Sequence, residues 1–499
     1  MPKSSSDFQG EVLVASSIVD HLSSGLYESP AACLKELVNN AFDADATRVK
    51  VFVKPDADQI IIDDDGAGLT REQFISHFSR VSESAKRDVS DITPGGRSKI
   101  GLIGIGFIAA NEICEEMEIF STVKGSIELL RVTIDFRAMR LTQSERKRAG
   151  TDVAKGDYRG TIETAERSDH FTRIFLREIR GPAREMLAGA HKARGLEELG
   201  ESLYGLSEST ISSRLLKDNL RTWSQLDFYS RTMLEVGLNV PVKYPTKWVP
   251  ESHIKLARPF EDHVKSLNFS VFYDGTDLRK PSVLEPGPGK SLFQSITIEG
   301  EEVSATGYLY AKRTTLHPEE LNGILIRIRD AAVGKYDSTF LEFPKSVNPL
   351  FQRWITGEIW ADDRLESAMN IDRRTLREAH PAFAELQSRF HQEFSSFLVK
   401  VRDELHSQPA AMRREVVAQT EFDQISSIVR DSALHISSTA KARVVDAWQE
   451  AETAADIRKI LRKFSVSEVY EIAIDVAADI LNPSDLERFV GELTRRLRG

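Results

Sequence analysis

One stretch limits what this chain can become: Glu36-Leu37-Val38-Asn39-Asn40-Ala41-Phe42-Asp43-Ala44. On an α-helix Glu36, Asn40 and Asp43 sit at i, i+4 and i+7. At about 100° per residue they fall within roughly 60° of one another, on one face. Two carboxylates and a carboxamide then share a stripe between apolar neighbours. Such a stripe suits a hard divalent cation and a water molecule: Asn40 offers an oxygen ligand to Mg²⁺, and Glu36 can polarise the water. Ser29 is a fitting N-cap and Pro30 a fitting first helical residue. The plain alternative is a solvated polar face on a surface helix, and two stretches downstream weigh against it.

The first comes after a predicted hairpin, Arg48–Lys54 and Gln59–Asp63 about the turn Pro55-Asp56-Ala57-Asp58. It reads Asp63-Asp64-Asp65-Gly66-Ala67-Gly68-Leu69. Glycines at a strand end let the backbone approach a ligand closely, and a carboxylate there can accept a hydrogen bond from an exocyclic amine such as adenine carries. A polar loop or a calcium loop is the alternative, and the calcium reading lacks a bidentate Glu at the required distance. The second is Gly101-Leu102-Ile103-Gly104-Ile105-Gly106-Phe107, ahead of an apolar helical stretch to Glu116. Backbone N–H groups at such a helix start can cradle phosphates. It is neither a Walker motif, since no Gly-Lys-Ser/Thr follows, nor a dinucleotide fingerprint, since no strand leads into it. Between the two lies a polar segment ending Thr93-Pro94-Gly95-Gly96-Arg97-Ser98-Lys99, which reads as a hinged lid.

Taken in order and spacing, Glu36-x3-Asn40-x2-Asp43, Asp64-x-Gly66-x-Gly68 and Gly101-x2-Gly104-x-Gly106 resemble the nucleotide-binding motifs of the GHKL ATPase superfamily. That group includes gyrase, the ninety-kilodalton heat-shock chaperones, histidine kinases and MutL. The stretch Ile18-Val19-Asp20-His21-Leu22 through Leu26-Tyr27 looks most like the chaperones; Asp43-Ala44-Asp45-Ala46-Thr47 is equally similar to MutL, which points to the Hsp90-like and MutL/microrchidia branches. The resemblance implies ATP and Mg²⁺ as ligands. Glu36 would be the general base and Asn40 the Mg²⁺ ligand, with Asp43 on the same cofactor-binding face. Asp64 would accept from the adenine amine, while Gly66 and Gly68 let the backbone close on the base. Gly101, Gly104, Gly106 and Phe107 would hold the lid base at the phosphates, and Lys86 matches a lysine of the lid. Thr172, in Phe171-Thr172-Arg173, resembles the threonine near adenine, although the family has Gly where Phe171 stands, and Gly160-Thr161 is a rival placement. Met369-Asn370-Ile371-Asp372-Arg373-Arg374 resembles the segment that brings a cation from the next domain to the γ-phosphate; Arg373 is the candidate catalytic contact and Arg374 the alternative.

The chain has 499 residues, enough for about two to four domains. The expected class is α+β. A flexible tail (1–11) precedes a Bergerat-type α/β sandwich ATPase domain at 12–180, with its lid at about 75–100. Next come a helical insertion or linker at 181–250, an α/β transducer-like middle domain at 251–380 and a helical C-terminal region at 381–499. Val12 to Leu26 reads as helix, with Val14, Ile18 and Leu22 four apart. Strand-like runs are Met117–Thr122, Glu128–Phe136 and Phe171–Ile179, then Val240–Tyr244, Ser270–Tyr273, Ser295–Ile298, Val303–Tyr310, Gly323–Arg329 and Thr356–Trp360. Near the end, Val469, Ile472, Val476 and Ile480 form an apolar stripe for core packing or a dimer seam. Ser465 with Glu468 and Ser484 with Glu487 resemble capping boxes.

A net charge of -10 and a pI near 5.7 do not favour nucleic acid as a partner. Cys33 and Cys114 lack metal-type spacing and read as buried thiols; no apolar run spans a membrane and the polar Met1–Gly10 holds no signal-peptide core, which together predict a cytoplasmic protein. The expectation is a Mg²⁺-dependent ATPase acting as an ATP-gated, chaperone-like machine, a homodimer with a protein client or partner, conceivably within a bacterial defence system. The alternatives are a MutL- or topoisomerase-like DNA clamp and a non-hydrolysing nucleotide switch. A histidine kinase fits less well, because Asp43 stands where that group typically has Lys.

Overall fold

In β3 (Gln59–Asp64), Ile60, Ile62 and Asp64 are buried in alternation with more open Ile61 and Asp63. The period of two that faces isoleucines inward thus carries a carboxylate inward as well. This strand lies inside a large mixed sheet. In a computed structural model of the chain, residues 7–14, 29–53, 57–78, 80–81, 91–101, 106–137, 154–188, 200–216, 220–282, 284, 290–343, 353–370, 374–405 and 466–498 are described. The other strands of the sheet are β1 (Phe8–Val14), β2 (Arg48–Phe52), β4 (Arg80–Val81), β5 (Cys114–Thr122), β6 (Glu128–Asp135), β7 (Ala154–Thr164), β8 (Phe171–Ile179), β9 (Ser270–Tyr273) and β10 (Thr276–Asp277). Their order is β10-β9-β2-β3-β8-β5-β6-β7-β1-β4.

Helix α1 (Pro30–Asp43) begins where the sequence predicts, with Ser29 extended and Pro30 first, although the Ser29 side chain makes no cap bond. Leu34, Leu37, Val38, Ala41 and Phe42 of α1 join one apolar core with Val49, Val51, Ile60, Ile62, Ile119, Val132 and Leu176 of the sheet. Helix α2 (Arg71–Phe78) adds Phe74 to that core. Helices α3 (Gly181–Leu187), α4 (Glu208–Leu216) and α5 (Phe228–Asn239) come after β8, and α5 packs on α1. The result is the expected α/β sandwich.

Four segments differ from the sequence reading. Phe8–Val14 is a strand, not a tail running into a helix. Seven of its residues pair with β7, from Phe8↔Gly160 to Val14↔Ala154, and this ladder satisfies backbone groups that the four-residue spacing of apolar side chains does not see. The rest of that predicted helix, residues 15–26, lies outside the described residues. Ser270–Tyr273, read as part of the second domain, instead runs parallel to β2 in the first sheet. Val240–Tyr244 forms no strand, and the helix expected to reach Glu116 is a 3-10 turn, Gly106–Glu112, that yields to β5 at Cys114.

The second sheet has the order β11 (Ser291–Glu299), β12 (Ser304–Lys312), β15 (Ile355–Ala361), β13 (Gly323–Ile328), β14 (Ala331–Asp337). Helix α6 (Ile254–Ser266) packs against it through Phe260, stacked on Trp360 and edge-on to Tyr308. Helix α7 (Pro381–Lys400) buries Phe390, Phe394 and Phe397. All of this belongs to one compact unit, residues 1–401; residues 402–499 form another. In the latter, α8 (Val466–Ile480) and α9 (Pro483–Arg498) form a helical pair. The cap of α9 is Asn482, whose Oδ1 accepts from the Asp485 amide at 3.0 Å, rather than Ser484. Ile472, Val476 and Ile480, expected in a core or a dimer seam, are 49%, 54% and 75% exposed; Ser465 and the side chain of Val469 lie outside the described residues.

Candidate nucleotide site

Asp64, Thr172 and Ser121 stand side by side on three neighbouring strands. Asp64 pairs with Thr172 across β3 and β8, and Ser121 pairs with Thr172 across β5 and β8. All three are buried, on the face that meets α1, and together they form a polar row at one end of an otherwise apolar floor. The Ser121 and Thr172 hydroxyls are 3.0 Å apart. Ser121 Oγ also accepts from the Leu69 amide at 2.8 Å and so ties the glycine turn to the row. The rival Thr161, on β7, pairs with Arg131 of β6 and lies four strands from β3, which leaves Thr172 beside Asp64. The sequence reading missed Ser121; the alternation of β5, with Met117, Ile119 and Ser121 facing inward, was the available signal.

The acidic triplet splits by direction. Asp63 points outward to Arg173 at 2.9 Å. Asp65 accepts from the Thr47 amide, the Thr47 hydroxyl and the Arg48 amide, each at 2.8 Å. Burial acts to raise its carboxyl, but these bonds and the Arg48 charge outweigh it and hold the group below the ordinary range. Only Asp64 faces inward. Burial pushes its carboxyl up to about 7; the Gly66 amide opposes this, Asp63 and Asp65 add to it, and a backbone bond from Thr172 opposes it again. The Gly66 amide donates to Asp64 Oδ1 at 2.9 Å. A buried carboxylate served by backbone amides is an acceptor for an amine donor.

Gly68 has φ +78, and a Cβ there would lie 2.1 Å from the Thr122 carbonyl oxygen. Side chains are excluded by both backbone and space. At Gly66 a Cβ would lie 2.8 Å from Asp64 Oδ1 and 2.9 Å from the Ala44 carbonyl. The turn therefore closes on the C-terminal end of α1, where Ala67 N–H bonds the Ala44 carbonyl at 2.8 Å.

On α1, Glu36 and Asn40 are half-buried while Leu37, Val38 and Asn39 are buried. Asp43 takes a different part from its two stripe-mates: its carboxylate accepts from the amides of Ile100 and Gly101, at 2.7 Å each. It thereby fixes the entrance to the glycine run. Asp45, at φ 59, holds Thr93 Oγ1 at 2.5 Å and the Gly95 amide at 2.7 Å. Arg97 reaches back to the carbonyls of Ala46 at 2.7 Å and Phe42 at 3.2 Å, with its guanidinium 4.7 Å from the centre of the Phe42 ring. Residues 91–101 are thus moored to the end of α1, and 106–112 pack on its flank. Lys86, Gly104 and Arg373 and the side chain of Phe107 lie outside the described residues. Gly106 opens the 3-10 turn. Arg374 sits in a loop closed by Asn370 and Thr375, whose amide–carbonyl bond is 3.0 Å.

Among the described residues no group of three His, Cys, Asp or Glu forms a ready metal site. A cation held by Asn40 would draw its remaining ligands from phosphate and water, as Mg²⁺ commonly does. Cys33 and Cys114 are buried thiols, and Cys114 Sγ donates to the Ala110 carbonyl at 3.2 Å. Among the described residues no helix is long and apolar enough to cross a membrane.

Residues 27–155 match the family described as histidine kinase-, DNA gyrase B-, and HSP90-like ATPase. The N-terminal part of the chain is thus similar to the GHKL ATPases, and its likeness is HSP90-like. Over 169 residues it is 28% identical to the chaperone protein HtpG of Bordetella avium (strain 197N), covering 29% of this chain and 26% of the chaperone. Over 120 residues it is 36% identical to a putative type II restriction enzyme, HgiDII, of Herpetosiphon aurantiacus, covering 24% of this chain and 19% of that protein. The chain therefore spans about a fifth to a quarter of the length of these relatives.

Proposed function

We propose that the chain binds MgATP over the Asp64–Thr172–Ser121 row and hydrolyses it, using the nucleotide to drive a chaperone-like conformational cycle. The observation that carries this reading is Asp64, an inward-facing carboxylate at a glycine-lined turn beside Thr172. Asp64 would accept from the adenine amine, with Gly66 and Gly68 allowing the base to lie against the backbone. Glu36 would take the proton of the attacking water. Asn40 would present its side-chain oxygen to Mg²⁺, which supplies charge neutralisation at the phosphates. Asp43 would act by setting the Ile100 and Gly101 amides at the mouth of the glycine run, and Arg373 or Arg374 would bring positive charge from the second domain. A homodimer and a protein client belong to this reading on the strength of the family likeness.

A DNA-associated clamp is the second reading, favoured by the 120-residue likeness of the chain to a putative restriction enzyme. The two separate by adding duplex DNA to the ATPase assay: stimulation favours the clamp, and indifference favours the protein-client machine.

The decisive measurement is Mg²⁺-dependent ATP hydrolysis by the full chain beside Glu36→Ala, with nucleotide binding checked on both. Hydrolysis by the wild type and binding without hydrolysis by the variant is the expected pair. Binding without hydrolysis in both turns the chain into a nucleotide switch, and failure of both to bind removes the function altogether.

A further inference from the structure

Residues 91–101 are moored on one side by α1. On the other side they meet a single guanidinium from the second sheet. Arg329 Nη1 donates to the Lys99 carbonyl at 2.9 Å and the Asp91 carbonyl at 3.4 Å. Nη2 lies 3.3 Å from the Asp91 carboxylate. The same group meets Asp363 at 3.3 Å and Glu366 at 3.1 Å. Its side chain is 2% exposed, although Asp91 and Asp363 are more than half exposed.

The two far carboxylates matter because of their place in the chain. Asp363 and Glu366 belong to the 3-10 turn Asp363–Ala368, which leads directly into Met369-Asn370 and the arginine-bearing loop. Arg374 lies against the second sheet: a Cβ on Gly334 of β14 would lie 2.3 Å from the Arg374 carbonyl oxygen. One side chain therefore touches the segment before the glycine run and the segment before the arginine loop.

The backbone at Arg329 points the same way. Arg329 and Asp330 form the two-residue turn between β13 and β14, with φ +50 and +67. A turn with two left-handed residues favours Asn-Gly. A residue with a Cβ is strained there. Such strain tends to persist where the surroundings hold it for a purpose. Here the turn aims Arg329 at residues 91–99, while Asp330 is held by His263 at 2.6 Å.

We propose that Arg329 is the positioning residue that couples the second sheet to the phosphate loop. This rests on the ATPase reading above. When the nucleotide draws residues 91–101 toward the phosphates, the Asp91 and Lys99 oxygens move relative to Arg329. The guanidinium must then shift with them or fall back on Asp363 and Glu366, and either response moves the turn that carries the arginine loop.

The test uses the full chain as wild type, Arg329→Ala and Arg329→Lys. For Arg329→Ala, kcat should fall about tenfold while ADP affinity stays within about threefold of wild type. Arg329→Lys should recover part of kcat, because a lysine restores charge without the fork. Unchanged kcat overturns the coupling, as does an equal loss of kcat, ADP affinity and thermal stability, which a purely structural role would give. If Arg329→Ala fails to fold, hydrogen exchange on the wild type decides. Addition of a non-hydrolysable ATP analogue should change protection at Arg97–Gly101 and at Ile328–Ala331 together; a change confined to the first segment overturns the proposal. A wild type that binds no ATP removes the ATPase reading and this coupling with it, whereas an active wild type with an equally active Arg329→Ala removes the coupling alone.

Discussion

Two carboxylates are buried to nearly the same extent, Asp64 in the first sheet and Glu358 in the second, and their surroundings treat them in opposite ways. Asp64 receives backbone amides and has Asp63 and Asp65 for neighbours, so burial prevails and its carboxyl rises to about 7. Glu358 accepts from the hydroxyls of Tyr244 and Tyr308, at 3.0 Å each, and from Arg327 Nε. Burial again pushes upward, but Arg327 and Lys280 reverse it and hold this carboxyl below the ordinary range. Glu358 closes a core. Asp64 leaves acceptor capacity at the end of a row of polar groups, which is what a ligand site requires and a core does not.

The largest effect expected from this contrast is at Glu358. Glu358→Ala leaves Arg327 buried without its counter-charge, and the unfolding free energy should fall by about 3–5 kcal/mol. Urea denaturation measures it, and a loss below about 1 kcal/mol would mean that Glu358 and Asp64 are not different in kind. Asp64→Asn should move the other way. The folded carboxyl titrates near 7 against an ordinary 3.8, so between those values the folded state binds more protons than the unfolded one. Stability then declines as pH rises from about 4 to about 7, and the full cost persists above that. Removing the charge should stabilise the nucleotide-free chain by on the order of 2–4 kcal/mol at about pH 8, while ATP affinity falls about 100-fold. Destabilisation of the nucleotide-free variant at that pH, measured by the same denaturation, would make Asp64 another core carboxylate.

What can be read in the sequence depends on the range of the contacts. Asp64 and Gly66 meet within three residues, so the pattern of an acid and a glycine carries that part of the geometry; Gly68 is confined by the Thr122 carbonyl on β5, which the local pattern does not show. The Glu36–Asn40 face is equally local, set by helical period. Asp43 falls on the expected helix, but its partners Ile100 and Gly101 lie 57 and 58 residues away, and nothing in the helix announces them. Arg329 is invisible for the same reason: its partners include carbonyl oxygens 230 and 238 residues away, and every residue type has a carbonyl. Ser270–Tyr273 is legible as a strand but not as a member of the first sheet, because parallel pairing with β2 spans some 220 residues of chain. In Phe8–Val14, apolar residues spaced by four beyond the strand mask a run whose partner is far off on β7.

A third carboxylate, Asp330, is less buried than either and gives the smallest effect. Its partner His263 can lose its charge, which neither Arg327 nor a backbone amide does in the ordinary pH range. The hydrogen bond to Asp330 raises the His263 imidazole above its usual 6.5; burial and the nearby Lys280 oppose the rise, and the Asp330 charge supports it. A raised folded pKa on a histidine means that the stabilisation is fully present below about 6.5 and is lost as pH rises through the folded value. The pair is about half exposed on the histidine side, which limits its worth to roughly 0.5 kcal/mol. The difference in melting temperature between wild type and His263→Gln should therefore be small and constant at low pH, then shrink across neutrality. Asp64 and Lys280 also titrate near neutrality, so the readout is the difference between wild type and His263→Gln, in which what both chains share largely cancels. A difference that grows with pH would assign the pair to the neutral histidine. Asp330 would then hold the Arg329 turn through a plain hydrogen bond, and the link between that turn and residues 91–99 would be independent of pH.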